Sequence, residues 1–202
     1  MNHKLLVFIL LSLLLLSCAA HFHRIDPSKI QYTNTNSIEG LNFSYRYNVL
    51  QEFNNNRYAS KESRGLVKLV GVKITNTSGR DIIIRDDLQF MQNDYPVEII
   101  SSKIMRNFIQ QNSTIYLLYL LLSPLQLYVQ DGHEIKTFPI GLIIGPSLAF
   151  FNIAGAHSAN VNMEKNINDF DILSKTVKDG DTVYGFLCIQ SSSYDPLGIK
   201  MK

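Results

Sequence analysis

Two cysteines, a serine–histidine pair and a few clustered acids are the residues of this 202-residue chain that could do chemistry. Cys188 lies in Tyr184-Gly185-Phe186-Leu187-Cys188-Ile189, an apolar run. A reactive thiol needs positive charge nearby to hold it as thiolate. None is close in sequence, so Cys188 reads as a small buried hydrophobe. Ser147 stands in Gly145-Pro146-Ser147-Leu148-Ala149, with His157 after it, superficially like a nucleophile elbow. Pro146 fits that turn badly, and the available acids, Asp169 and Asp171, follow the histidine, whereas an elbow hydrolase places its acid before it. Asp86-Asp87 adjoins Arg85 and leads into no glycine loop, so it reads as a charged turn, not a calcium site. Asp179-Gly180-Asp181 is turn chemistry by the same argument. His21 and His23 are spaced to share a metal, but nothing nearby completes a site, and His133-Glu134 reads as a solvated link. There is no phosphate loop, no CxxC and no HExxH. The expectation is a non-enzyme, with no catalytic residue, no cofactor and no metal.

Cys18 is different, because of what precedes it. Residues 1–17 are Met-Asn-His-Lys followed by an almost unbroken aliphatic stretch. A short cationic start and an apolar core define a secretory signal. The run from Leu5 to Leu16 has 12 residues. As helix that is about 18 Å, too short for the ~30 Å hydrocarbon core of a bilayer. The segment ends in Leu15-Leu16-Ser17-Cys18, which resembles the lipobox of bacterial lipoproteins. That resemblance implies cleavage before Cys18, a diacylglycerol thioether on its sulfur and an amide-linked acyl chain on its new N-terminus. Several acyl chains make such anchoring stable. Leu16 departs mildly from the pattern, where a smaller residue is commoner. Ala19 follows the cysteine, and without an aspartate there the resemblance favours the outer membrane, on its periplasmic leaflet. Net charge is +2, and loss of the leader with its single Lys4 leaves +1. So weak a balance gives no electrostatic footprint for nucleic acid.

The rest of the chain must position that anchor. Residues 18–38 are polar and aperiodic, and read as a tether. From Leu41 the pattern turns to β. Leu41, Phe43, Tyr45, Tyr47 and Val49 alternate with polar residues, the period of a half-buried strand. Asn54–Asn56 and Ser60–Gly65 read as loop, Leu66–Thr75 as strand, Asn76-Thr77-Ser78-Gly79 as turn and Asp81–Arg85 as a short strand. Leu88 to Ile99 reads as a hairpin about Asn93-Asp94. Asp169–Leu173, Thr182–Gln190 and Leu197–Met201 complete about seven strands, with Thr182–Gln190 central because it is apolar on both faces. The unit Val72-Lys73-Ile74-Thr75-Asn76-Thr77-Ser78 and the late Lys178-Asp179-Gly180-Asp181-Thr182-Val183-Tyr184-Gly185 resemble the immunoglobulin-like domains of small bacterial lipoproteins. The fold class expected is therefore mainly β (α+β), an immunoglobulin-like β-sandwich over 39–202.

An apolar insertion, 101–168, interrupts it. Ser101–Gln111 has helical spacing. Ile115–Val129 is 15 residues without charge, and Phe138–Ala156 is 19, joined by a polar link, Gln130–Thr137. Leucine-richness favours helix for the first. In the second, Gly141, Gly145 and Ala149 form a small-xxx-small row that lets helices approach closely, and Tyr116 and Tyr128 mark the ends of the first as an interface would. Three readings stand: a membrane-embedded helical hairpin, a soluble hairpin packed on the sandwich or in an oligomer, and buried strands. Lengths of about 22 and 28 Å favour partial insertion over spanning. Tyr116, Leu120, Tyr128, Gly141, Gly145 and Ala149 are the expected membrane or partner contacts. The functional expectation is a membrane-anchored envelope lipoprotein acting as a non-catalytic structural or protein-binding module, with an envelope protein as partner. The alternative is a lipoprotein that binds, or hydrolyses, a lipid or another apolar small molecule.

Overall fold

A computed structural model describes residues 18–202; the leader, 1–17, and its Leu15-Leu16-Ser17 lie outside the described residues. In chain order the elements are a 3-10 turn Pro27–Lys29, β1 (Asn34–Ile38), β2 (Leu41–Arg46), α1 (Val49–Glu52), α2 (Asn56–Arg64), β3 (Val67–Asn76), β4 (Ile82–Ile83), α3 (Ile84–Asp87), β5 (Leu88–Gln92), β6 (Tyr95–Pro96), β7 (Glu98–Ile99) and α4 (Ser102–Ile109). Then come a 3-10 helix Ser113–Leu122, β8 (Leu127–Asp131), β9 (Glu134–Phe138), α5 (Gly141–Asp169), a 3-10 turn Ile172–Ser174, β10 (Thr176–Val177), β11 (Thr182–Gln190) and β12 (Leu197–Met201). Among the described residues they form two compact units, a larger one of 22–110 and 160–202 and a smaller one of 18–21 and 111–159.

The larger unit is mixed α+β with several antiparallel sheets. Its main sheet has the order β1-β2-β3-β11-β7. β3 and β11 are its centre, in register from Thr75↔Thr182 to Val67↔Gln190. A second sheet has the order β12-β5-β6. One apolar cluster draws on both, with Phe43, Val72, Ile74 and Leu187 from the first and Leu88, Phe90, Leu197 and Ile199 from the second. The alternation of β2 survives as buried Leu41, Phe43 and Tyr45 against exposed Asn42. The hairpin at Asn93-Asp94 has positive φ at both residues, 50° and 66°, as a two-residue I′ turn requires.

Four expectations change here. Residues 56–64, read partly as loop, are helix α2, with Tyr58 and Glu62 on its buried face. The period-two run ends at Arg46, and Val49 begins α1. Asp169–Leu173 is no strand: α5 continues to Asp169, and the 3-10 turn Ile172–Ser174 follows. Its strand-like pairing with β11 is the isolated bridge Asp171↔Phe186. The segment read as a tether carries β1, paired to β2, and is pinned upstream by side-chain amides. Asn55 accepts from His23 N–H at 2.8 Å and donates to its C=O at 2.9 Å. Asn166 does the same for Ile25, at 3.0 Å both ways. An Asn amide mimics a peptide group, so each gives the chain a strand-like partner without a strand.

The smaller unit holds the largest correction. Ile115–Val129 is not one α-helix. It is a 3-10 helix to Leu122 and then strand β8, and the supposed polar link supplies β9. Pro124 lacks the N–H needed to carry a helix onward. The buried residues Tyr116, Tyr119 and Leu122 recur every three, the period of a 3-10 helix. They pack on α5 through the small row. A Cβ at Gly145 would lie 2.8 Å from the Tyr119 carbonyl oxygen, and one at Gly141 would overlap that of Leu122. The helical hairpin is thus a 3-10 helix and an α-helix packed closely, with a β-hairpin between them.

Candidate membrane-contact site

Hydrolytic chemistry finds no assembled set. Ser147 and His157 are exposed on one helix, ten residues apart, which at ~1.5 Å per residue is roughly 15 Å. Asp169 is engaged with Arg24 at 3.0 Å, and the Asp171 carboxylate caps the following 3-10 turn by accepting from Leu173 N–H at 3.1 Å. Asp87 accepts from Ile83 N–H at 2.7 Å, and Asp179 from Gly79 N–H at 2.9 Å, both turn roles. Cys188 borders a cleft of about 260 Å³ with Arg85, Ser102, Asn168 and Asp171. Burial, helped by the negative charge of Asp171 and Glu62, pushes its thiol well above the ordinary range, so it stays protonated. No group of three His, Cys, Asp or Glu side chains suited to a metal occurs among the described residues.

The distinctive surface is on the smaller unit. Among the described residues, sixteen of the twenty-four exposed large hydrophobic residues belong to it. On α5 they include Leu142, Ile143, Phe150 and Phe151; on the 3-10 helix, Leu117, Leu118, Leu120 and Leu121. Periodicity explains the arrangement. Over 141–156 of α5 the buried positions are Gly141, Gly145, Ala149, Asn152 and Ala156, a stripe of about 3.6-residue period. The residues between them form the opposite face, and that face is apolar. Phe150 is 68% and Phe151 71% exposed. A soluble helix carries polar residues there, and contiguous apolar surface of this kind marks a contact with something other than water. By length and composition, α5 is one helix long and apolar enough to cross a membrane.

Cys18 sits in the same unit and is exposed. The two residues after it are fastened. Ala19 N–H donates to Asn152 Oδ1 at 2.7 Å. Ala20 N–H donates to Gln111 Oε1 at 3.0 Å, and Gln111 Nε2 donates to the Ala20 carbonyl at 2.7 Å. Ala19 also packs on the small cluster of Tyr116, Tyr119, Leu122, Ala149 and Ala156. A Cβ on Gly155 would lie 3.4 Å from that of Ala19. The backbone leaving Cys18 is therefore held along α5 at Asn152 and Gly155, within a turn of Phe150 and Phe151. From Asn152 back to Gly141 the helix is about 16 Å long, close to one leaflet of the ~30 Å hydrocarbon core.

Of the six expected contact residues, Leu120 and Tyr128 are exposed. Tyr116 and Ala149 are buried, and Gly141 and Gly145 abut the 3-10 helix. The small row serves the packing of the unit, and its neighbours make the outward face. Sequence reasoning missed Phe150, Phe151, Asn152 and Gln111. The face opposite a four-residue small row could have identified the two phenylalanines; nothing local marked the two amides. His21 and His23 are both exposed. No protein-family model matches the chain, and no match was found among curated proteins or solved structures.

Proposed function

We propose that this chain is a lipid-anchored, non-catalytic module of the bacterial cell envelope, acylated on Cys18, and that its smaller unit makes a second contact with the same bilayer. The observation that carries the reading is the Ala19–Asn152 hydrogen bond. It leaves no slack between the anchored residue and an apolar helix face. Acyl chains on Cys18 bring the bilayer to the end of that face, where Phe150 and Phe151 have no aqueous reason to be. Burying each phenylalanine in an apolar phase is worth roughly 1.5–3 kcal/mol. The one-leaflet length between Asn152 and Gly141 suits a unit that dips into the membrane rather than crossing it.

In this reading the larger unit is an immunoglobulin-like β-sandwich that presents a structural or protein-binding surface to an envelope partner. Its support is the pairing of the two motifs that carry the resemblance. Thr75 lies opposite Thr182 and Val72 opposite Gly185, so the two are neighbouring strands. The location proposed is the outer membrane, on the strength of Ala19 following the cysteine.

Mass spectrometry of the chain extracted from membranes tests the anchor. The expected product begins at Cys18 and carries a thioether-linked diacylglycerol and an N-terminal acyl chain. A product that begins elsewhere, or is unacylated and recovered from the soluble fraction, would overturn it.

A further inference from the structure

β8 and β9 form a two-stranded sheet of their own, in register from Leu127↔Phe138 to Asp131↔Glu134. All five β9 residues are exposed, as are Leu127, Tyr128 and Val129 of β8. A two-stranded hairpin with no covered face is marginal alone in water and needs further strands or packing. Its unpaired edges are also templates for another strand.

Which backbone groups are offered follows from the turn. Gly132-His133 is a two-residue loop in which only Gly132 has a positive φ, 62°, the II′ pattern. The turn's closing bond makes Asp131↔Glu134 a hydrogen-bonded pair. Such pairs alternate with pairs whose N–H and C=O point outward. Val129↔Lys136 is therefore bonded, and Ile135 and Thr137 direct their backbone groups to the free edge of β9.

We infer that this edge pairs with the same edge of a second copy of the chain, β9 antiparallel to β9 about a two-fold axis at Ile135. In that register Ile135 exchanges both backbone bonds with its counterpart. Glu134 of each copy falls opposite Lys136 of the other, twice, on one face of the sheet. A contact that repeats itself under a two-fold axis is the self-complementary geometry of a closed dimer. The neighbouring registers lack this. Centring on Lys136 sets lysine against lysine; centring on Thr137 sets Lys136 against Phe138 and meets Pro139, which has no N–H to give. β8 has no oppositely charged pair to repeat. An edge lysine ordinarily discourages pairing, but here the strand also carries an acid two residues away.

The inference does not rest on the lipid anchor, and its test keeps the two apart. Ile135→Cys and, on the other edge, Tyr128→Cys are each introduced into the full chain. Both are oxidised mildly in native membranes, and again in detergent on the Cys18→Ala background. Directly opposed residues in a hydrogen-bonded pair have Cα atoms about 5.5 Å apart, within disulfide reach. Ile135→Cys is expected to give a disulfide-linked dimer in both settings, and Tyr128→Cys is not. Adding Glu134→Lys should reduce the cross-linked fraction roughly tenfold, since two attractive cross-strand pairs become repulsive. The charge swap Glu134→Lys with Lys136→Glu should restore it. No Ile135→Cys dimer above the parent chain, equal cross-linking at both edges, or a charge swap no better than the single reversal would each overturn the pairing. Because these positions are exposed, the variants leave the packing of both units intact.

Discussion

The two units spend their hydrophobic residues in opposite ways. The larger buries a cluster of seventeen apolar residues between its sheets, with Phe43, Val72, Ile74 and Ile189 fully excluded from solvent. Among the described residues it leaves eight large hydrophobic residues exposed. The smaller buries a cluster of five, two of them alanines, and exposes sixteen. Single exposed hydrophobics are normal on a soluble protein, whereas a unit that exposes more large hydrophobic residues than its cluster buries has the kind of surface that interaction sites present. Mutation should therefore act on folding in one unit and on attachment in the other.

The largest effect is expected in the shared core of the larger unit. Phe43→Ala removes a fully buried ring and should lower unfolding stability by about 3–5 kcal/mol, measured by denaturant titration. If Phe43→Ala costs no more than a surface change, the contrast between the units fails at its firmer end.

Next is a pH effect confined to the same unit. Glu62 is buried, accepts from Leu69 N–H at 2.6 Å and lies beside Lys68. Burial outweighs both favourable contacts and lifts its carboxyl from 4.5 to about 7. The folded state thus holds this proton more tightly than the unfolded chain does. Its contribution is full below pH 4.5 and is lost as pH rises through 7. The linked change is on the order of 3 kcal/mol. Glu62→Gln should flatten this part of the stability–pH curve, and the same slope in both proteins would refute the assignment.

A third, smaller effect sharpens the comparison at the N-terminal segment. Asn166→Ala strands the N–H and C=O of Ile25, and Gln111→Ala those of Ala20. Unsatisfied buried groups cost about 1–3 kcal/mol. Hydrogen exchange at Ile25 should accelerate in the first variant and at Ala20 in the second. Unchanged protection would mean that the amides do not hold the segment.

The smallest effect on folding belongs to the smaller unit. Phe150→Asp with Phe151→Asp should change unfolding stability by roughly 0.5 kcal/mol or less, as surface substitutions do. A large loss would place these rings in a core.

These contrasts also show what could be read from the chain. The strands were legible in two ways: β2 and the hairpin at Asn93-Asp94 follow the alternation and turn residues of the sequence, and β3 and β11, buried on both faces over most of their length, follow its apolar runs. Two kinds of feature were not. The amide clamps at Asn55, Gln111, Asn152 and Asn166 pair residues from 32 to 141 positions apart, and an asparagine that will be buried looks locally like one in a loop. In the smaller unit, leucine content argued for α-helix between Ile115 and Val129. Close approach of the Gly141–Gly145 row selected a three-residue period instead, and Pro124 released the rest of the run to a strand. The small row reads from sequence as a packing device with Gly141, Gly145 and Ala149 as membrane or partner contacts; in the structure Gly141 and Gly145 abut the 3-10 helix, and the apolar residues beside the row are the exposed ones.

In the proposed function the lipid on Cys18 is the first of two membrane contacts. Vesicle flotation of a chain beginning at residue 18 and carrying Cys18→Ala tests it most directly. Without any acyl chain the protein is expected to float with the vesicles, and to stay in the aqueous layer once Phe150→Asp and Phe151→Asp are added. A Cys18→Ala chain that remains wholly aqueous as a soluble monomer would contradict the claim.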